Sequence, residues 1–164
     1  MELTWHSHSC FEIVADDGTM VLVDPFLEVN GMTDAAPEDF DPDAVALTHG
    51  HFDHVADAHK FDAPVLGQPE VTTYVESQGH DDTVDFNVGG TYDVGSIALT
   101  MVQGFHSSST PGEDSQYEGY AGTSNGYVVE VDGVTFYHAG DTGLFGDMKH
   151  VIRDVFEPDV AAVP

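Results

Sequence analysis

Short apolar runs alternate with polar, turn-forming stretches along the chain, and their spacing predicts most of its elements. Residues 3–5, 10–15 and 20–23 read as strands, with Asp16-Asp17-Gly18 a hairpin signal between the last two, so the chain opens as a β-meander. Asp24-Pro25 ends the third strand, because proline cannot donate to a ladder. Residues 30–42 are rich in Asp, Pro and Ala and read as a loop whose expected place is over the functional site. The run Ala44-Val45-Ala46-Leu47 is strand-like, residues 55–61 predict a short helix and 64–66 a strand. Residues 69–78 predict a second helix, with Pro69 at its start and Gly79 after its end. Residues 92–94 and 97–102 form a hairpin through Gly95-Ser96, and 126–131 and 134–137 another across Asp132-Gly133. Residues 107–125 carry no period and predict a mobile, substrate-facing loop. Residues 147–156 read as a helix and 160–163 as a buried strand.

Composition narrows the class. A chain of 164 residues suffices for a single domain, 1–164, with its own core, and an apolar fraction of 41% argues against disorder. Three Lys and Arg against 30 Asp and Glu give a net charge of −27. Such a surface repels itself at low salt, whereas at about 1 M the Debye length is only ~3 Å. The chain reads as salt-adapted, halophilic and acidic-surfaced. It also reads as a poor partner for nucleic acid, since phosphate contacts need basic residues. Cys10 is the single cysteine and fits a small core residue. Neither a signal-like start nor a run of membrane-spanning length is evident, so a cytoplasmic location, no membrane partner and a small-molecule substrate are expected.

The chemistry concentrates at Thr48–His54, T-H-G-H-F-D-H, directly after a buried strand. Gly50 lets the chain turn sharply enough for His49 and His51 to face one cation, while Asp53 and His54 face another. Imidazole nitrogens and carboxylate oxygens suit zinc, manganese or iron. His106 follows a later strand in the same way as His49. Asp141, flanked by small residues in Tyr137-His138-Ala139-Gly140-Asp141-Thr142-Gly143, suits a bridge between cations. Asp24 has two readings, a turn carboxylate or an acceptor that fixes a ligating histidine. His138 reads as packing or support, and His150, in a helix-like stretch, as surface. Phe26, Phe105, Tyr117 and Tyr120 are pocket candidates, and His6, His59 and His80 are taken as solvated.

H-x-H-x-D-H after a buried strand resembles the metallo-β-lactamase superfamily. His8 with Cys10-Phe11, Asp24-Pro25-Phe26-Leu27 with Asn30, His106-Ser107-Ser108 and Y-H-A-G-D-T-G extend the similarity to the metal-dependent hydrolase branch related to ascorbate-6-phosphate lactonase. The resemblance implies an α+β fold, an αβ/βα sandwich of two mixed sheets with outer helices. It implies two divalent ions, zinc foremost. His49, His51 and His106 would hold one, Asp53 and His54 the other, and Asp141 would bridge, with Asp53 and Asp141 as the catalytic carboxylates and His8, Asp24 and His138 supporting or lining the site. The implied reaction is attack of a metal-bound hydroxide on an ester, lactone, amide or phosphoester. The family's pattern adds a further histidine well beyond the bridging aspartate, and only 23 residues follow Asp141 (164 − 141). The expectation is therefore a C-terminally incomplete sandwich. The alternative is a metal-binding or assembly module without turnover, and exposed apolar residues near 160–163 would favour a homo-oligomer.

Overall fold

The opening runs pair antiparallel as β1 (Glu2–Trp5), β2 (Phe11–Val14) and β3 (Met20–Val23), with Leu3 opposite Ile13 and Ile13 opposite Val21. In this computed structural model, which describes residues 1–164, the chain then switches to parallel pairing. The strands β4 (Ala44–Ala46), β5 (Val65–Gly67) and β6 (Thr83–Asp85) extend the sheet in the order β1-β2-β3-β4-β5-β6. Parallel neighbours need crossovers: β3 reaches β4 through a loop with one 3₁₀ turn, Pro37–Asp39, and the two later crossovers carry helices. The segment expected to be helical at 55–61 divides instead into α1 (Phe52–Val55), which begins inside the histidine motif, and a 3₁₀ turn at Ala58–Lys60. The second helix, α2 (Pro69–Ser77), lies within its expected bounds. The polar β6 escapes pattern reading because only three residues pair and one apolar side chain, Val84, faces the core.

The second sheet begins with the hairpin β7 (Thr91–Val94) and β8 (Ile97–Gln103). Between β8 and the next long strand, the segment expected as one loop forms a two-stranded ribbon, β9 (Ser109–Thr110) with β10 (Gly119–Tyr120). The sheet continues through β11 (Asn125–Val131) and β12 (Val134–His138), joined by Asp132 and Gly133, both left-handed as a type I′ turn requires. A helix of π character, Met148–Phe156, leads to β13 (Val160–Ala162), which pairs parallel to β12 at the edge. The strand expected to be buried at 160–163 is thus an exposed edge. Val160 and Val163 keep 43% and 63% of their surface accessible, because no strand lies outside them.

Side chains alternate between faces along every core strand. Val21, Val23, Ala46 and Leu66 from the first sheet meet Ile97, Leu99, Met101, Tyr127 and Phe136 from the second, forming the core of the sandwich. Leu22, Val45, Leu47 and Val65 point outward, under Val55 of α1 and Val71 and Val75 of α2. Val102, Val128 and Tyr137 point to the opposite exterior, under Ile152 of the π-helix. This is the αβ/βα layering that the resemblance implied. Residues 30–42, expected over the site, pack Ala35 and Phe40 on the outer cluster of the first sheet, with the Phe40 ring against His6. Cys10 is fully buried, and burial pushes its thiol up to about 12. Of the 30 acidic residues only Asp24 and Asp57 are buried. No helix is long and apolar enough to cross a membrane.

Candidate metal centre

Asp24, β4 and β12 reach the same edge of the sandwich, and the loops that leave there carry the candidate ligands. Asp24 sits at φ +47, a left-handed conformation that costs a non-glycine residue about 1–2 kcal/mol. The turn it makes puts its carboxylate, fully buried, under the histidine motif. That carboxylate accepts the Thr48 N–H at 2.8 Å, the Thr48 hydroxyl at 2.6 Å and His54 Nδ1–H at 2.8 Å. Both readings of Asp24 therefore hold together: it is a turn residue and it orients a histidine.

These bonds fix tautomers by elimination, since an ionised carboxylate only accepts. His54 donates from Nδ1, so Nε2 is left as its outward atom. Nε2 is buried, makes no hydrogen bond, and lies 3.6 Å from Asp141 Oδ2. Because the Thr48 hydroxyl gives its proton to Asp24, its oxygen accepts from His49 Nδ1–H at 3.0 Å, and His49 Nε2 also faces outward. One carboxylate thus aims two imidazoles, His54 directly and His49 through a hydroxyl. Burial pushes His49 down to about 3 and lowers His51, so both present lone pairs at neutral pH. Burial also opposes charge on His54, yet Asp24 and Asp141 outweigh it and raise its proton affinity. A cation at Nε2 meets the same electrostatic demand.

The remaining candidates converge on these atoms. His49 Nε2 and His51 Nδ1 lie 2.9 Å apart, and the His106 ring stands edge-on to both at 5.3 and 5.2 Å. Ligand atoms of His49, His51 and His106 fall within 4.8 Å of one another, as do those of His49, His54 and Asp141 and those of His8, Asp53 and His54. Asp141 Oδ2 lies 3.8 Å from His106 Nε2 and 3.6 Å from His54 Nε2, between the two histidine groups, and the His54 contact holds its carboxyl at about 2. The donor set fits divalent cations: imidazoles, carboxylates between them, and one buried imidazole nitrogen without a hydrogen-bond partner.

Close backbone contacts hold the loops together. Gly140 has φ +58, and a Cβ there would meet Asn125 O at 2.7 Å and Thr48 Cβ at 2.9 Å, so only glycine lets Asp141 pass this close to Thr48. Phe105 N–H donates to Thr142 Oγ1 at 2.8 Å and Gly143 N–H to Phe105 O at 3.0 Å, clamping the His106 loop to the Asp141 loop. His138 is buried and ties its Nε2 to Ser9 O at 2.9 Å, so it secures the N-terminal loop and points no nitrogen at the cluster. His150 is exposed on the π-helix. His6, His59 and His80 are partly buried, not solvated: His6 pairs with Glu12 at 2.8 Å and His80 with the Asp82 carbonyl. Among the aromatic candidates, Tyr117 stands 5.4 Å from His51 and Phe26 packs on His8, and Tyr117, Phe105 and Tyr120 are all exposed.

Three supports were not legible in the pattern. Asp57, buried, accepts Leu27 N–H and Glu28 N–H at 2.7 and 3.0 Å and pairs with Lys60, fastening the 24–30 turn to the end of α1. Tyr127 donates across the sandwich to Leu47 O at 2.8 Å, just before the motif. Ser108 accepts Gly50 N–H and donates to Ala121 O, joining the motif to the ribbon. An aspartate three residues past the motif was the one available signal.

A sandwich of this layering with an imidazole–carboxylate cluster at its strand-end edge defines the metallo-β-lactamase-like class. The family model described as "Beta-lactamase superfamily domain" matches residues 2–164. A UPF0173 metal-dependent hydrolase of Halorubrum lacusprofundi is 44% identical over 178 residues, covering 100% of this chain and 70% of that protein. The corresponding protein of Haloquadratum walsbyi is 43% identical, covering 100% and 72%. Igni18, a metallo hydrolase from Ignicoccus hospitalis, superposes with a TM-score of 0.78 at 30% identity, over 97% of this chain and 68% of that one. The chain belongs to the beta-lactamase superfamily and, within it, to the UPF0173 metal-dependent hydrolases.

Proposed function

We propose that the chain is a metal-dependent hydrolase of small molecules, with His49, His51 and His106 holding one divalent cation, Asp53 and His54 a second, and Asp141 facing both. Zinc suits this donor set first, with manganese or iron as substitutes. The observation that carries the reading is the convergence of ligand atoms within 4.8 Å around a buried, unpartnered His54 Nε2. When bound, such cations polarise a carbonyl or phosphoryl oxygen and bring the pKa of water towards ~7.

The chain's own residues do the rest. Asp24 keeps the His49 and His54 lone pairs pointed outward. Asp141, ionised at neutral pH, accepts a proton or a hydrogen bond at Oδ2 between the two histidine groups. Tyr117, beside His51, offers an apolar ring with a polar tip to a bound substrate. Esters, lactones, amides and phosphoesters are the substrate classes, because each develops an oxyanion that such a site stabilises. The free, buried Cys10 suits a reducing cytoplasm.

Metal content and turnover test this together. The chain, purified in molar KCl and dialysed with zinc or manganese, is expected to retain metal and to cleave at least one of a panel of nitrophenyl esters, lactones and phosphodiesters, losing activity with chelator and on His106→Ala. A folded chain that retains no transition metal would sink the reading. Retention of metal without turnover on any class would favour a binding or assembly module.

A further inference from the structure

Resting on that metal-site reading, we infer that His8 supplies a third protein donor, beside Asp53 and His54, to the second cation. His8 Nε2 lies 3.2 Å from Asp53 Oδ2, its ring stands edge-on to His54 at 5.1 Å, and the ligand atoms of all three fall within 4.8 Å of one another. Without His8 this position has one buried imidazole and one half-exposed carboxylate from the motif, with Asp141 shared. With it, the donor set is two imidazoles and a carboxylate, the composition found in catalytic zinc sites.

The alternative is a plain ion pair between His8 and Asp53, and the strained backbone that presents His8 argues against it. Ser7 and His8 are consecutive residues at φ +101 and +52. Each such conformation is strained for a non-glycine residue. A half-exposed ion pair by itself returns too little to offset that strain. The loop is nonetheless pinned in this shape: Trp5 Nε1–H donates to His8 O at 2.8 Å, Cys10 N–H donates to Ser7 O at 3.0 Å, and His138 holds Ser9 O. His54 Nε2, buried and without a hydrogen bond, faces the same position. These contacts hold the His8 imidazole beside Asp53 and His54.

The test counts cations. The chain is dialysed against cobalt, then metal is counted by mass spectrometry and by the visible absorption of the bound ion. His8→Asn is the variant of choice, because asparagine tolerates the left-handed backbone. The unaltered chain is expected to hold about two cations and His8→Asn about one, while His106→Ala loses the other, as a two-cation site requires. His8→Asn retaining both ions at unchanged affinity overturns the proposal and leaves the metal-site reading standing. An unaltered chain that binds none removes both. If His8→Asn melts early, cadmium titration of the unaltered chain decides by NMR: scalar coupling between cadmium and the His8 imidazole nitrogen is expected, and its absence with coupling present at His54 overturns the proposal.

Discussion

A single carboxylate governs the orientation of two candidate ligands. Asp24 accepts three hydrogen bonds, all with Thr48 or His54, and no other acidic residue reaches either imidazole from beneath. Asp24→Asn keeps the shape and tolerates φ +47, but it places an amide N–H where a donor was previously received. His54 then loses the acceptor that fixed its tautomer. Metal affinity is expected to fall by about 10–100-fold, the usual effect of removing a ligand's partner, as read by chelator competition. Stability is expected to fall by about 1–3 kcal/mol in denaturant titration. Affinity equal to that of the unaltered chain would show that His54 needs no such orientation. The motif histidines were legible in the sequence because chemistry-bearing residues clustered within seven positions. The role of Asp24 was legible only as one of two readings, because its partners lie 24 and 30 residues away and only the parallel pairing of β3 with β4 brings them together.

Among the elements, the ribbon β9–β10 shows how a segment without periodicity becomes ordered. It has too few apolar residues to form a sheet alone. Instead it borrows order from the motif, through Ser108 and through Ala121, which is buried against Gly50. A Cβ on Gly50 would come within 2.5 Å of Ala121 Cβ and 3.3 Å of Ser109 O. Gly50→Ala is therefore expected to push the ribbon away and to cost about 1–3 kcal/mol, as overpacking does. Affinity at the His49–His51–His106 position should weaken with it. Gly146→Ala, which meets nothing within 4 Å, is the control and should melt with the unaltered chain. Equal melting of the two variants would mean that the ribbon is not seated on the motif. The division of 55–61 into α1 and a 3₁₀ turn has a similar origin. Asp57 turns its carboxylate back to the 24–30 turn, and that contact replaces continued helix.

Charge acts on the whole molecule. All three basic side chains are already engaged: Lys60 with Asp57 and Glu28, and Lys149 and Arg153 with Asp154. Asp16 and Asp132 share the N-terminal amine, and most of the other carboxylates face solvent with no Lys or Arg beside them, so their self-repulsion is relieved chiefly by ions from solution. The melting temperature is expected to rise steeply as KCl goes from dilute buffer to about 1 M, where the Debye length is ~3 Å. A melting temperature that does not change with salt would remove the salt-adapted reading. At high salt the same screening should let the exposed β13 edge, with Val160 and Val163, pair between copies. Sedimentation in molar KCl tests this, and a strictly monomeric profile would count against an oligomer.

By itself, the sequence determined the local features: the strand runs, the type I′ turn at Asp132-Gly133, the caps of α2, the clustered imidazoles and the net charge. Each of these is set by residues near one another in the chain. Which imidazole nitrogen points outward, which of the sheet's edges gathers Asp24, His54, His106 and Asp141, and that His8 stands beside Asp53 were decided only by tertiary structure. Those facts depend on strand order and on hydrogen bonds between residues far apart in sequence, and no local pattern encodes such distances.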